Sequence, residues 1–157
     1  MKGQGPERAR HETEEAVSRE SRALAGTLLV ILPTVMFGGL TLLRFLATRE
    51  PGYMDNPLRQ NLWRAGHAHA GVYLVLALVL LRYVDEAELS APWKRFARIA
   101  APLAAILVPA AFFLSVLSPQ ATEPNGLIVL AYLGALVLAA GVLTLGVGLL
   151  RASRRLV

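Results

Sequence analysis

Four long apolar blocks separated by short polar stretches run along this chain, at residues 23–45, 67–84, 99–117 and 127–150. Each holds about 18 to 24 residues, and a helix rising about 1.5 Å per residue needs about 20 to cross the hydrocarbon of a bilayer. Barrel strands would be half that length and would alternate apolar with polar positions. These blocks do neither. The pattern predicts an all-α, integral membrane four-helix bundle with spans at about 23–46, 63–84, 97–118 and 126–150. A polar tail over 1–22 and a basic tail over 151–157 flank that domain.

Punctuation within the blocks refines the picture. The opening tail mixes both charges without an apolar face, which predicts a disordered or loosely helical segment, and the first span lacks the form of a cleavable signal and is expected to be retained. Pro33-Thr34 and Gly38-Gly39 permit a kink and close approach by a neighbouring helix, and Arg44 is placed to snorkel to the headgroups. Pro51-Gly52 and Asn56-Pro57 mark a loop, with Tyr53 and Trp63 as interfacial anchors and the second helix starting near Trp63. Ser90-Ala91-Pro92 reads as a helix start. Trp93, Lys94, Arg95 and Arg98 follow as an interfacial collar. Pro102 and Pro109 free backbone carbonyls in the third span, for which Ser115 and Ser118 are local donors. In the fourth, Gly134, Gly141 and Gly148 recur every seven residues, a spacing that drifts about 20° per repeat and makes one narrow packing seam.

Charge orients the spans. Twelve of the 16 Lys and Arg lie in the N-terminal tail, the second loop and the C-terminus, which predicts cytoplasmic placement of both termini. With 55% hydrophobic residues and a mean hydropathy of +0.49, the chain is too apolar for an ordinary soluble domain. Its net charge of +5 sits at the ends of spans, so a nucleic-acid partner is not expected. The expected partners are the lipid bilayer and either a second copy or a larger membrane complex. The absence of Cys excludes disulfides, thiolate metal sites and covalent haem attachment. The excess of Arg over Lys fits a GC-rich bacterial genome, and with it the bacterial cytoplasmic membrane.

Gly66-His67-Ala68-His69-Ala70-Gly71 carries the candidate chemistry, because an ionisable group inside a span is a functional-site hypothesis by default. If the segment is helical, the two rings diverge by about 200°. If the helix begins near Ala70, both rings can converge on a metal with Asp55 or Glu123. A third reading makes both neutral, hydrogen-bonded to backbone carbonyls or to Tyr73 and Glu123, as structural glue. No phosphate loop, nucleophile elbow, His-Glu-x-x-His or intramembrane carboxylate pair is present in the sequence, so an independent enzyme is not expected.

The segment resembles the His-x-His spans of small four-helix bacterial membrane proteins that are likened to pieces of haem–copper oxidase catalytic subunits, over residues 64–76. The resemblance implies that His67 or His69 is an axial ligand to haem b or to copper. The chain departs from the pattern in lacking the further membrane histidines of a complete haem–copper centre, so Met36, Met54 or a second copy would complete a six-coordinate haem. The expectation is an accessory or cofactor-binding component of a membrane redox complex. A purely structural subunit and a small oligomeric transporter or channel are the alternatives.

Overall fold

A computed structural model describes residues 17–155 as helices joined by short connections. They are α1 (Arg19–Ala47), a single turn α2 (Pro51–Met54), α3 (Pro57–Tyr83), α4 (Ala91–Leu114) and α5 (Val129–Arg154), the last entered through a 3-10 turn at Gly126–Ile128. Four of them are long and apolar enough to cross a membrane: α1, α3, α4 and α5 with its leading turn. The expected disorder of the opening tail falls mostly on residues 1–16, outside the described residues, as does His11.

Local chemistry sets the boundaries. Ser18 Oγ accepts from the Ser21 N–H at 3.2 Å and starts α1 inside the stretch expected to be tail. Asn56 Oδ1 accepts from the Arg59 N–H at 3.0 Å and Pro57 takes the first position of α3, where a missing N–H costs nothing. Asn56-Pro57 is therefore a helix start and not a loop mark, and α3 begins six residues before Trp63. At the other end of α1, Arg49 adopts φ 52° while Arg49 and Glu50 donate back to Leu46 and Phe45, a Schellman closure with a non-glycine residue in the left-handed position. α5 runs through Arg154, so the basic tail begins as helix.

The long helices pack largely in chain order: α5 lies along α4, α4 along α3, and α3 more lightly along α1, with little contact between α5 and α3. The four helices of the expected bundle are thus arranged as an open row, an order of packing that the sequence pattern does not specify. The reason lies in where the small residues point. A Cβ at Gly134 would meet Val108 Cγ2 at 2.6 Å, one at Gly141 would collide with the Ala100 methyl, and one at Gly148 would meet Leu89 Cγ at 2.6 Å. The whole seam therefore faces α4 and the connection before it. Gly38 and Gly39 of α1 face His67 of α3 instead.

The first and last described residues, 17 and 155, share one end. There Glu88 N–H donates to the Gly148 carbonyl at 3.0 Å, and Ser18 N–H to Asp85 Oδ2 at 2.9 Å. At the far end Asn56 Nδ2 donates to the carbonyls of Pro119 and Ala121, both at 2.9 Å. The proline-freed carbonyls of α4 do not recruit the expected serines: Ser115 Oγ is buried without a hydrogen-bond partner among the described residues, and Ser118 Oγ meets Gln120.

Candidate functional site

α3 is helical through the His-x-His segment, so His67 and His69 leave opposite faces. The extended arrangement, with both rings turned onto one metal, is not adopted. Gly66 makes no break; it lets α4 approach, since a Cβ there would meet Phe113 Cε2 at 3.0 Å and Phe112 Cβ at 3.2 Å. This use of Gly66 is not legible in the sequence, where the residue stands beside the histidines with no sign of which helix will approach it.

His67 faces α1. A Cβ on Gly39 would lie 2.8 Å from its Nε2 and 3.0 Å from its Cε1, so the ring fits because Gly39 exposes bare backbone there, while Gly38 lies in ordinary contact range. His67 is a wedge between α1 and α3.

His69 faces the other way. Its Nδ1 lies 2.7 Å from the Ala65 carbonyl, a contact in which Nδ1–H donates, an arrangement that in a neutral ring leaves the lone pair on Nε2. Nε2 has no hydrogen-bond partner among the described residues. The ring stands edge-on to Tyr73 and Phe112, each with centroids 5.3 Å away. Beyond it opens a cleft of about 270 Å³ between α3, α4 and α5, walled by Val108, Phe112, Ile128 and Tyr132. Phe112 is in the last turn of α4 and Ile128 precedes α5, so His69 is level with the far ends of both helices.

The other sequence candidates are placed elsewhere. Asp55 closes α2 and is exposed, Glu123 is exposed on the α4–α5 connection, and none of Met36, Met54, Asp55 and Glu123 lines the His69 cleft. The Met54 sulfur lies 3.9 Å from Gln60 Nε2. Among the described residues no group of three or more His, Cys, Asp or Glu is placed to hold a metal ion. Arg64 does not turn to His67; its Nε donates to Tyr53 Oη at 3.2 Å.

Two clusters escaped the sequence reading. At the far end Phe45, Tyr53, Trp63 and Phe113 form a chain of rings with centroids 5.6 to 6.2 Å apart, capped by Arg59 with its Cζ 4.0 Å from the Trp63 ring. At the termini-bearing end Arg98 is no member of an open collar. Its side chain is only 10% exposed, with Nη2 2.8 Å from Asp85 Oδ1, Nε 3.0 Å from Ser21 Oγ, and Nη1 on Glu20. Burial alone would raise the Asp85 pKa, but bonds from the Ser18 N–H, Ser21, Arg98 and the Ser18 hydroxyl together hold it below the ordinary carboxylate value. One signal was available: Arg98 lies about two turns inside α4, and an arginine that deep calls for an anion.

Comparison with family models, with curated proteins and with solved structures finds no match to this chain.

Proposed function

We propose that this chain is a multi-pass protein of the bacterial cytoplasmic membrane, both termini cytoplasmic, that serves as an accessory, cofactor-binding component of a membrane redox complex. His69 is the ligand residue. What supports this is the state of its ring: Nδ1 is anchored on the Ala65 carbonyl at 2.7 Å, the outer hydrogen bond that ligating imidazoles characteristically make, while Nε2 is unpartnered beside an apolar cleft. Haem b or copper would supply the redox chemistry. The chain would offer one nitrogen, so the remaining ligands come from a partner subunit or a second copy.

The test is an optical spectrum, oxidised and reduced, with metal analysis on protein purified in mild detergent together with whatever co-purifies. A Soret band or stoichiometric copper that disappears in His69→Ala and persists in His67→Ala is the expected result. A folded, colourless, metal-free preparation from its native membrane overturns the cofactor role.

The second reading, a structural subunit, is favoured at one residue. His67 fills the space over Gly38 and Gly39 and makes no hydrogen bond among the described residues, which is packing without ligation.

A further inference from the structure

A groove of about 590 Å³ opens at the termini-bearing end, where the start of α1 meets the first two turns of α4. Its walls divide by chemistry. Lys94, Arg95 and Arg98 supply three cations, Glu20 one carboxylate, and Pro92, Phe96 and Ile99 an apolar floor. Phe96 is held in place by Trp93, edge-on with centroids 6.0 Å apart.

The charges are not equally engaged. Arg98 is neutralised twice, by Glu20 and by Asp85. Lys94 Nζ makes one bond, to the uncharged Asp85 carbonyl at 2.9 Å, which leaves an ammonium with donors to spare. Arg95 is exposed and makes no side-chain hydrogen bond or ion pair among the described residues. The groove therefore holds two cations uncompensated among the described residues, at adjacent positions of α4 about 100° apart around the helix, beside a carboxylate already occupied.

The apolar floor continues out of the groove. Ile99, Leu103 and Ile106 follow at spacings of four and three, on one face of α4, and are 47%, 40% and 66% exposed. An anion pocket at the end of a span, opening onto an apolar stripe that runs into the span, has the two-part chemistry of a phospholipid. A free anion would use the cations and leave the stripe idle; a protein segment would have no need of a stripe running toward the bilayer centre.

We infer that this groove is a binding site for one anionic phospholipid, its phosphodiester and headgroup charge on Lys94 and Arg95 and its acyl chain along Ile99, Leu103 and Ile106. Glu20, fixed on Arg98, borders the headgroup and disfavours a second anion. The site is separate from the His69 cleft, which lies near the opposite ends of the helices, so neither depends on the other.

The experiment is native mass spectrometry of the full chain released from mixed micelles holding equal phosphatidylglycerol and phosphatidylcholine. One phosphatidylglycerol is expected to stay bound in preference to phosphatidylcholine. Arg95→Gln and Lys94→Gln are each expected to weaken it about fivefold, the value of one cation near an anionic lipid surface. Arg95→Gln removes no side-chain bond among the described residues, so its fold is expected to be retained, as a melt in phosphatidylcholine alone will check. Excess inorganic phosphate is expected to leave the lipid in place. Equal retention of the two lipids, unchanged retention in Arg95→Gln, or displacement by inorganic phosphate each overturns the assignment.

Discussion

At the end that holds both termini, α1, the α3–α4 connection and α4 are joined by charge: Arg98 reaches Asp85, Glu20 and Ser21 at once, and Ser18 closes back onto Asp85. At the far end α1, α2, α3 and α4 are joined by rings, with Phe45, Tyr53, Trp63 and Phe113 in contact and Arg59 lying over the indole. The first joint is directional, and removing one member strands the others in a partly dry site. The second is broad and tolerates small shifts, since offset and tilted rings attract over a range of geometries. His69 lies near the tolerant end. The ligand site proposed at His69, which would need groups from another chain, would be better placed where the helices can adjust than where a guanidinium pins three segments.

The largest effect follows from breaking the charged joint. Arg98→Ala leaves the largely buried Asp85 carboxylate without its cation, while the exposed Glu20 turns to water, and one partner of a buried ion pair is costly to strand. The expected loss is about 3 kcal/mol in a denaturation series in detergent, with hydrogen exchange rising first in the opening turns of α1 and in the α3–α4 connection. Equal acceleration at Tyr53 and Trp63 would show that the two ends are one cooperative unit.

Trp63→Ala breaks the other joint. The indole contacts three rings, and its Nε1 donates to the Phe113 carbonyl at 3.3 Å. Because Trp63 is half-buried, the expected loss is about 2 kcal/mol, below the range for a fully enclosed Trp. Exchange should rise at α2 and the start of α3 while the opening turns of α1 keep their protection. The two substitutions share no partner, so their effects should add.

The two joints also differ in how far the sequence announced them. Four spans were legible because length and hydropathy decide them with no tertiary input, and the α5 seam was legible because glycine every seven residues on a helix has few other uses. The divergence of His67 and His69 stood among the expectations as the helical alternative; the deciding residue, Asn56 as a cap three residues before Arg59, looked like loop chemistry, since Asn-Pro serves turns and helix starts alike. The open row was not legible, because which helix faces a glycine pair is a tertiary matter. Nor was the partnership of Arg98 with Glu20, 78 residues away, or the tilted ring contact of Trp63 with Phe113. A buried cation can be suspected from its depth in a span, but its anion cannot be chosen among Asp85, Glu86 and Glu88 by spacing alone.

Acid should separate the two joints most gently. The folded Asp85 carboxylate is held below its ordinary value, so it contributes stability that is fully present above about pH 4 and is lost as pH falls through the folded value. Protonation would turn one acceptor of the Ser18 N–H and the Arg98 guanidinium into a neutral acid, weakening the charged joint without emptying the space it fills. No such group lies within the ring cluster. Lowering the pH from 6 to 3 should therefore lower the melting midpoint by less than either substitution does, with the first change in the opening turns of α1 and with Trp63 fluorescence constant until global unfolding. Asp85→Asn, which keeps an acceptor but cannot titrate, should start from a lower midpoint at pH 6 and lose the part of the pH dependence that the carboxylate supplies. If Asp85→Asn follows the parent curve across that window, the acid sensitivity belongs to other carboxylates and the charged joint is held by Arg98 and Glu20 alone.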